Sequence, residues 1–147
     1  WIAIYLPLVT LIVAGLNERF GWLPEVPLWL AWVSLVVILL GYAFGIWAML
    51  SNPFFSAVVR IQTDRGHVTV EAGPYRYVRH PGYSSGIFTW LAIPLLLGSF
   101  WALIPAVVAC GLTVLRTKLE DQTLIEELSG YSEYTQRTRY RLLPGVW

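Results

Sequence analysis

Residues 28–50 read LWLAWVSLVVILLGYAFGIWAML, twenty-three positions without a charged side chain. A hydrocarbon core of about 30 Å needs about 20 residues of helix, so this stretch predicts a membrane-spanning helix. The composition of the whole chain agrees. Of its 147 residues 56% are hydrophobic and 13% charged, with a mean hydropathy of +0.59. A soluble domain carries about 25% charged residues, so this chain has about half the usual solvating surface. Ten Lys and Arg against nine Asp and Glu leave a net charge of +1, which gives nucleic acid no electrostatic footprint to bind.

Working outward toward the N-terminus, residues 17–27 contain Gly21, Pro24 and Pro27, which end helices, and Trp22 and Trp29 stand where an interfacial aromatic belt belongs. This predicts a short turn at one surface. Residues 1–16 before it are apolar throughout and predict another membrane helix. The chain opens at Trp1 inside that run with neither Met nor basic flank, which predicts residues upstream and gives no targeting signal.

Toward the C-terminus, residues 83–115 form a second charge-free stretch of 33 residues, too long for one straight span and short for two. Gly98-Ser99 divides it. Arms of about 15 or 16 residues reach roughly 23 Å at 1.5 Å per residue, which predicts a tight helical hairpin, with kinks at Pro94 and Pro105. Nine of the ten basic residues fall in two segments: Arg60, Arg65, Arg76 and Arg79 before the hairpin, and Arg116, Lys118, Arg137, Arg139 and Arg141 after it. The positive-inside rule places both segments in the cytoplasm, with an even number of crossings between them. The expected architecture is an all-α, multi-pass integral membrane protein of about four membrane helices, forming one domain over residues 1–147.

Chemistry is then confined to the polar segments. In residues 60–83, RIQTDRGHVTVEAGPYRYVRHPGY, the prolines of Gly73-Pro74 and His80-Pro81 hold their preceding residues out of the helical region. Pro81 is expected to start the hairpin and to leave the amides of Gly82, Tyr83 and Ser84 at a positive helix end beside Arg79 and His80, which suits a carboxylate or phosphate. The competing reading is a plain Pro-started helix with Arg79 snorkelling to lipid headgroups. Past the hairpin, Arg116 and Glu120 stand four residues apart on one helix face, as an intrahelical ion pair or as ligand contacts. Asp121, Glu126 and Glu127 are expected on a solvated face. Tyr131, Tyr134 and Tyr140, interleaved with Arg137, Arg139 and Arg141, are expected at the headgroup interface.

Other chemistries lack their residues. His67 and His80 are the only histidines and Cys110 the only cysteine, set in an apolar run that assigns it to packing, so no metal is expected. The chain has no Gly-x-Ser-x-Gly, Walker loop or Gly-x-Gly-x-x-Gly.

The block Gly73-Pro-Tyr-Arg-Tyr-Val-Arg-His-Pro-Gly-Tyr83, an apolar hairpin, Arg116-Thr-Lys-Leu-Glu-Asp121, Gly130-Tyr-Ser-Glu-Tyr134 and Arg141-Leu-Leu-Pro144 together resemble the isoprenylcysteine carboxyl methyltransferase family of integral membrane enzymes. The resemblance runs in order over residues 52–147, the expected cofactor-binding catalytic core. It implies S-adenosylmethionine as cofactor, on a cytosolic site formed by the loop before the hairpin and the helix after it. The implied cofactor residues are His67, Val68, Thr69, Val70, Tyr75, His80, Pro81, Gly82, Tyr83 and Glu120. Arg116 would face the substrate, its guanidinium a fork for a carboxylate acceptor. The implied partners are membrane lipids and a lipophilic or lipidated substrate. Two other readings stay open: an N-methyltransferase acting on phospholipid headgroups or other amines, and a non-catalytic module that binds lipid.

Overall fold

A computed structural model describes residues 2–56 and 61–147 of the protein. Trp1, which opens the expected first helix, and Arg60, one of the basic residues used to orient the chain, lie outside the described residues. The regular elements are α1 (Ile2–Phe20), α2 (Leu28–Ser51), α3 (Pro81–Leu96), α4 (Leu103–Glu127) and α5 (Tyr131–Arg137), with short 3-10 turns at Thr63–Arg65 and Gly73–Arg76. Among the described residues the only strand-like pairing is one bridge between Glu25 and Ser99. α2 covers the charge-free stretch and is, among the described residues, the one helix long and apolar enough to cross a membrane.

Two sequence expectations about boundaries are corrected. α1 does not stop at Leu16 but runs on through Asn17, Glu18 and Arg19 to Phe20. It ends where Gly21, at φ +61°, takes the left-handed conformation that terminates a helix cheaply. Pro105 makes no kink, because α4 begins at Leu103 and the ring therefore sits in the first turn, where no amide is needed. Pro94, by contrast, lies inside α3. Residues 97–102 join α3 to α4, with Gly98 at φ +75°.

The chain forms two compact units. The first holds residues up to 42 with 86–114. Its interior is made mostly of small side chains: besides Asn17, Ile38 and Pro94, the residues Thr10, Ala14, Ser34, Thr89, Ala92, Ser99, Ala102, Ala106 and Ala109 are buried. Its large apolar side chains point outward, among them Leu11, Ile12, Trp29, Trp32, Leu39, Leu40, Ile104 and Val107. Water would penalise that arrangement, whereas helices packed in lipid use small residues for close contact and give their large ones to the bilayer. The buried hydroxyls of Thr10 and Ser34 donate to the carbonyls of Leu6 and Leu30 one turn back, so they need no partner across the helix interface. The Cys110 thiol lies 3.8 Å from the Ile87 carbonyl, and Trp101 Nε1 donates to the Leu23 carbonyl at 3.1 Å, which ties the turn after α1 to the turn after α3.

The second unit holds residues 43–85 and 115–147. Ala48, Tyr75, Leu128, Tyr131 and Tyr134 form its core, with Ile61, Val70 and Leu124 packed against them. The Tyr134 hydroxyl donates to the Tyr75 carbonyl at 2.6 Å, so α5 is pinned to the turn before α3. All of the sequence-predicted site residues belong to this unit.

Candidate active site

The residue most deeply committed in the second unit is Asp121, on α4 and fully buried. Arg79 grips it with two parallel bonds, Nε to Oδ1 and Nη2 to Oδ2, each 2.8 Å. Arg141 Nε adds 2.8 Å to Oδ2, the Tyr131 hydroxyl 2.9 Å to Oδ1, and His80 Nε2 3.1 Å to Oδ1. The carboxylate has no proton to give, so the histidine hydrogen is assigned to Nε2. Burial alone pushes this carboxyl up, but the bonds from His80, Arg79 and Arg141 prevail and hold it well below the usual carboxylate range. Burial, then the Asp121 charge, pushes the Tyr131 phenol up, so its hydroxyl remains a donor.

This cluster overturns three expectations. Asp121 is not on a solvated face, because the tail folds back over it. Arg79 does not snorkel; its remaining nitrogen, Nη1, donates to the carbonyls of Thr138 and Arg139 at 2.9 and 2.8 Å. Tyr131, Tyr134 and Arg141 leave the headgroup interface for the interior cluster, while Tyr140, Arg137 and Arg139 remain outside. Backbone pairing completes the fastening: the Arg79 and His80 amides donate to the carbonyls of Tyr140 and Arg141, both at 2.9 Å, and Ser84 Oγ donates to Leu142 at 2.6 Å.

Pro81 does start α3, but the helix end offers less than expected. The Tyr83 and Ser84 amides both close on the His80 carbonyl at 3.1 Å, so only the Gly82 amide of the anticipated three is left without that bond. The Phe55 ring lies against Gly82, where an added Cβ would come within 2.9 Å of it.

Immediately above this start, three side chains converge. The Tyr83 hydroxyl donates to Glu120 Oε2 at 2.5 Å, and the Arg116 guanidinium lies over the Tyr83 ring at 5.5 Å. All three are half-buried. The His80 ring stacks on Tyr83 with centroids 5.9 Å apart, so the Asp121 cluster sets the position of Tyr83 through His80. Tyr75 is buried nearby. Its hydroxyl receives Asn52 Nδ2 at 3.2 Å, and its pKa is raised first by burial and further by the charge of Glu120.

The loop residues fall into a different group. His67 stacks on Phe54 at 4.5 Å, and its Nδ1 accepts from the Gln62 amide at 3.3 Å. Burial lowers the His67 pKa. Gln62 is itself buried, donating to the Phe54 carbonyl at 2.7 Å and accepting from Arg65, so this turn is internally braced. Val68 is exposed, Thr69 donates to the Ser129 carbonyl at 3.1 Å, and Val70 packs on the tyrosine core. Their bonds and ring contacts run to Gln62, Phe54 and Ser129. Sequence reasoning therefore joined Arg116, Glu120, Tyr83 and His80 as the structure does, and missed Asp121, Tyr131, Arg141 and Gln62 as supports. Among the described residues no group of three His, Cys, Asp or Glu side chains is placed to hold a metal ion.

The backbone is similar to the solved structure of a eukaryotic intramembrane Ras methyltransferase, isoprenylcysteine carboxyl methyltransferase, with a TM-score of 0.77 over 97% of this chain at 19% identity. The chain spans about half the length of that protein, 52% of it. No curated protein matches the sequence. The family profile for isoprenylcysteine carboxyl methyltransferases matches residues 32–126, from within α2 to the end of α4, and so takes in the Arg79-His80-Pro81 element as well as Arg116, Glu120 and Asp121. The chain belongs to the isoprenylcysteine carboxyl methyltransferase family of membrane methyltransferases.

Proposed function

We propose that the protein transfers a methyl group from S-adenosylmethionine to the carboxylate of a lipophilic acceptor, on the cytosolic side of a membrane crossed by α1 to α4, with α3 and α4 as a hairpin. The observation that carries this reading is the convergence of Tyr83, Glu120 and Arg116. It sets an acid, an aromatic face and a guanidinium side by side, in a place half open to solvent.

These residues fit the cofactor by the chemistry of their donors. Glu120 suits an ammonium group and the aromatic ring of Tyr75 a sulfonium, while Tyr83, its ring already met by Arg116 and His80, orients Glu120 through its hydroxyl. The Gly82 amide is the group that the start of α3 contributes toward a carboxylate. His80 and Pro81 act here by fixing that start, and His67, Val68, Thr69 and Val70 would hold the cofactor from the loop before the hairpin. When bound, S-adenosylmethionine supplies an electrophilic methyl group. The chain's own task is then placement: Arg116 holds the acceptor carboxylate as an ionised fork. An ionised acceptor needs no general base, in keeping with a site where His80 already donates to Asp121. A guanidinium at this position pairs directly with an acceptor carboxylate, whereas of a phospholipid amine it could hold only the neighbouring phosphate.

The test separates the two members of the Arg116 and Glu120 pair. Glu120→Gln is expected to weaken S-adenosylmethionine binding. Arg116→Ala is expected to leave that binding nearly intact and to slow methylation of a prenylated cysteine. Losing a charged hydrogen-bond partner costs about 1.5 to 3 kcal/mol, or about tenfold to more than a hundredfold. A pair that only braces the helix, at about 0.2 to 0.5 kcal/mol, would leave both variants close to the parent in both measurements.

A further inference from the structure

The turn Gly73–Arg76 stands on the end of α2. A Cβ added at Gly73 would overlap the Ser51 side chain and come within 3.1 Å of Trp47 Nε1. The backbone leading into Arg76 and Tyr77 therefore packs against the last turn of the one described helix apolar enough to span a membrane. Facing it, the end of α5 and the residues after it close a groove of about 260 Å3, lined by Arg76, Tyr77, Arg137, Arg139 and Tyr140 among others. Its rims are fixed from inside. Thr138 Oγ1 lies 3.4 Å from the carbonyls of both Tyr75 and Arg76, and the buried Arg79 holds the carbonyls of Thr138 and Arg139. The backbone is rigid while the cationic arms stay exposed.

The charge is one-sided. Among the described residues no carboxylate lines the groove, and Arg137 pairs outside it with Glu71, which leaves Arg76 and Arg139 as the positive charge of the described lining. Exposed Tyr77 and Tyr140 lie in the lining, and the nearby tail exposes Leu143 and Val146. Arginines, tyrosines and aliphatic side chains together at the end of a spanning helix are the composition of a headgroup interface. At about 30 Å3 per water, the space equals roughly eight or nine waters, enough for a phosphodiester with its glycerol carbons.

We propose that this groove binds the headgroup phosphate of an anionic phospholipid from the surrounding membrane, at a site separate from Tyr83, Glu120 and Arg116. The full chain, reconstituted in phosphatidylcholine vesicles, is titrated with spin-labelled phosphatidylglycerol and, separately, spin-labelled phosphatidylcholine. The parent protein is expected to immobilise phosphatidylglycerol in excess. Arg76→Gln with Arg139→Gln should reduce that excess by about fivefold or more, whereas Lys118→Gln, which removes an exposed charge elsewhere, should not. Both groove arginines are exposed, and an unchanged melting temperature confirms that the double variant is folded. If it is not, Arg139→Gln alone should still lower the excess. Equal immobilisation of the two lipids by the parent, or an undiminished excess in the folded arginine variants, overturns the proposal. So does loss of the excess in millimolar inorganic phosphate but not in chloride of matched ionic strength, which assigns the groove to a soluble anion.

Discussion

Asp121 and Glu71 each meet an arginine, and the two pairs differ in consequence because of where they sit. Glu71 and Arg137 are exposed, their side chains 44% and 63% accessible, and such pairs contribute about 0 to 1 kcal/mol. Asp121 is wholly enclosed and answers Arg79, Arg141, His80 and Tyr131 at once. Removing its charge strands two guanidinium groups, and breaking a buried pair costs about 3 to 5 kcal/mol. Asp121→Asn is therefore expected to lower the melting temperature in detergent sharply, while Glu71→Gln barely moves it. The pH dependence has a definite sign. The folded carboxyl titrates below its unfolded value of about 3.9, so its stabilisation is present above about pH 4 and is lost as pH falls through the folded value. The parent should hold its melting temperature from neutral pH to about 5 and lose it in stronger acid. Asp121→Asn, already destabilised, should lack that component of the acid loss, which the difference between the two profiles isolates.

At the scale of elements, hydropathy was enough to find the apolar helices, though not the polar α5, and Gly98-Ser99 enough to find the break between α3 and α4, because both are local properties. What local reading missed was set by distant chain. Pro105 looked like a kink until the turn at 97–102 placed it in a first turn. Tyr131 and Tyr134 had the composition of an interfacial belt. They are interior because the pairing of Arg79 and His80 with Tyr140 and Arg141 draws α5 inward, and no spacing in the sequence encodes that. Arg116 and Glu120 were legible as a pair, being one turn apart, whereas Asp121, one residue on, points to another side of the same helix. The turns carry their own test. Gly98 has φ +75° and open space around its Cβ position, so Gly98→Ala bears backbone strain alone, about 1 to 2 kcal/mol. Gly73, at φ +57°, bears similar strain and also drives a methyl group into Ser51 and Trp47. Melting of the two variants should therefore rank Gly73→Ala as the more damaging. Equal losses would mean that the turn at 73–76 is not seated on α2.

For the whole molecule, the proposed placement of residues 51–82 and 116–147 on one face of a membrane draws on two arguments that do not share a premise. The positive-inside rule assigns residues 51–82 and 116–147 to the cytoplasm from the distribution of Lys and Arg. The bonds of Asp121 require a common face, whichever it is, from distance: Arg79 precedes α3, Asp121 follows the apolar part of α4, and they are 2.8 Å apart, so a hydrocarbon core of about 30 Å cannot separate them. Thr69 and Ser129, 3.1 Å apart, impose the same condition. The chain from 81 to 115 must therefore return to the face it left, although α3 has only 16 residues, about 24 Å of helix, and crosses in full only where the bilayer thins or the turn at 97–102 stays in the interface. The check is side-specific labelling in sealed vesicles. Cys110 is first replaced by Ser, and single cysteines are then placed at Thr63 and Ser132, both exposed. An impermeant thiol reagent should reach both from one face. Reaction from opposite faces would contradict the Arg79 and Asp121 bond itself, and with it the common origin of Tyr83 and Glu120 in one site. Reaction of both from the outer face would keep the site whole and reverse only its orientation.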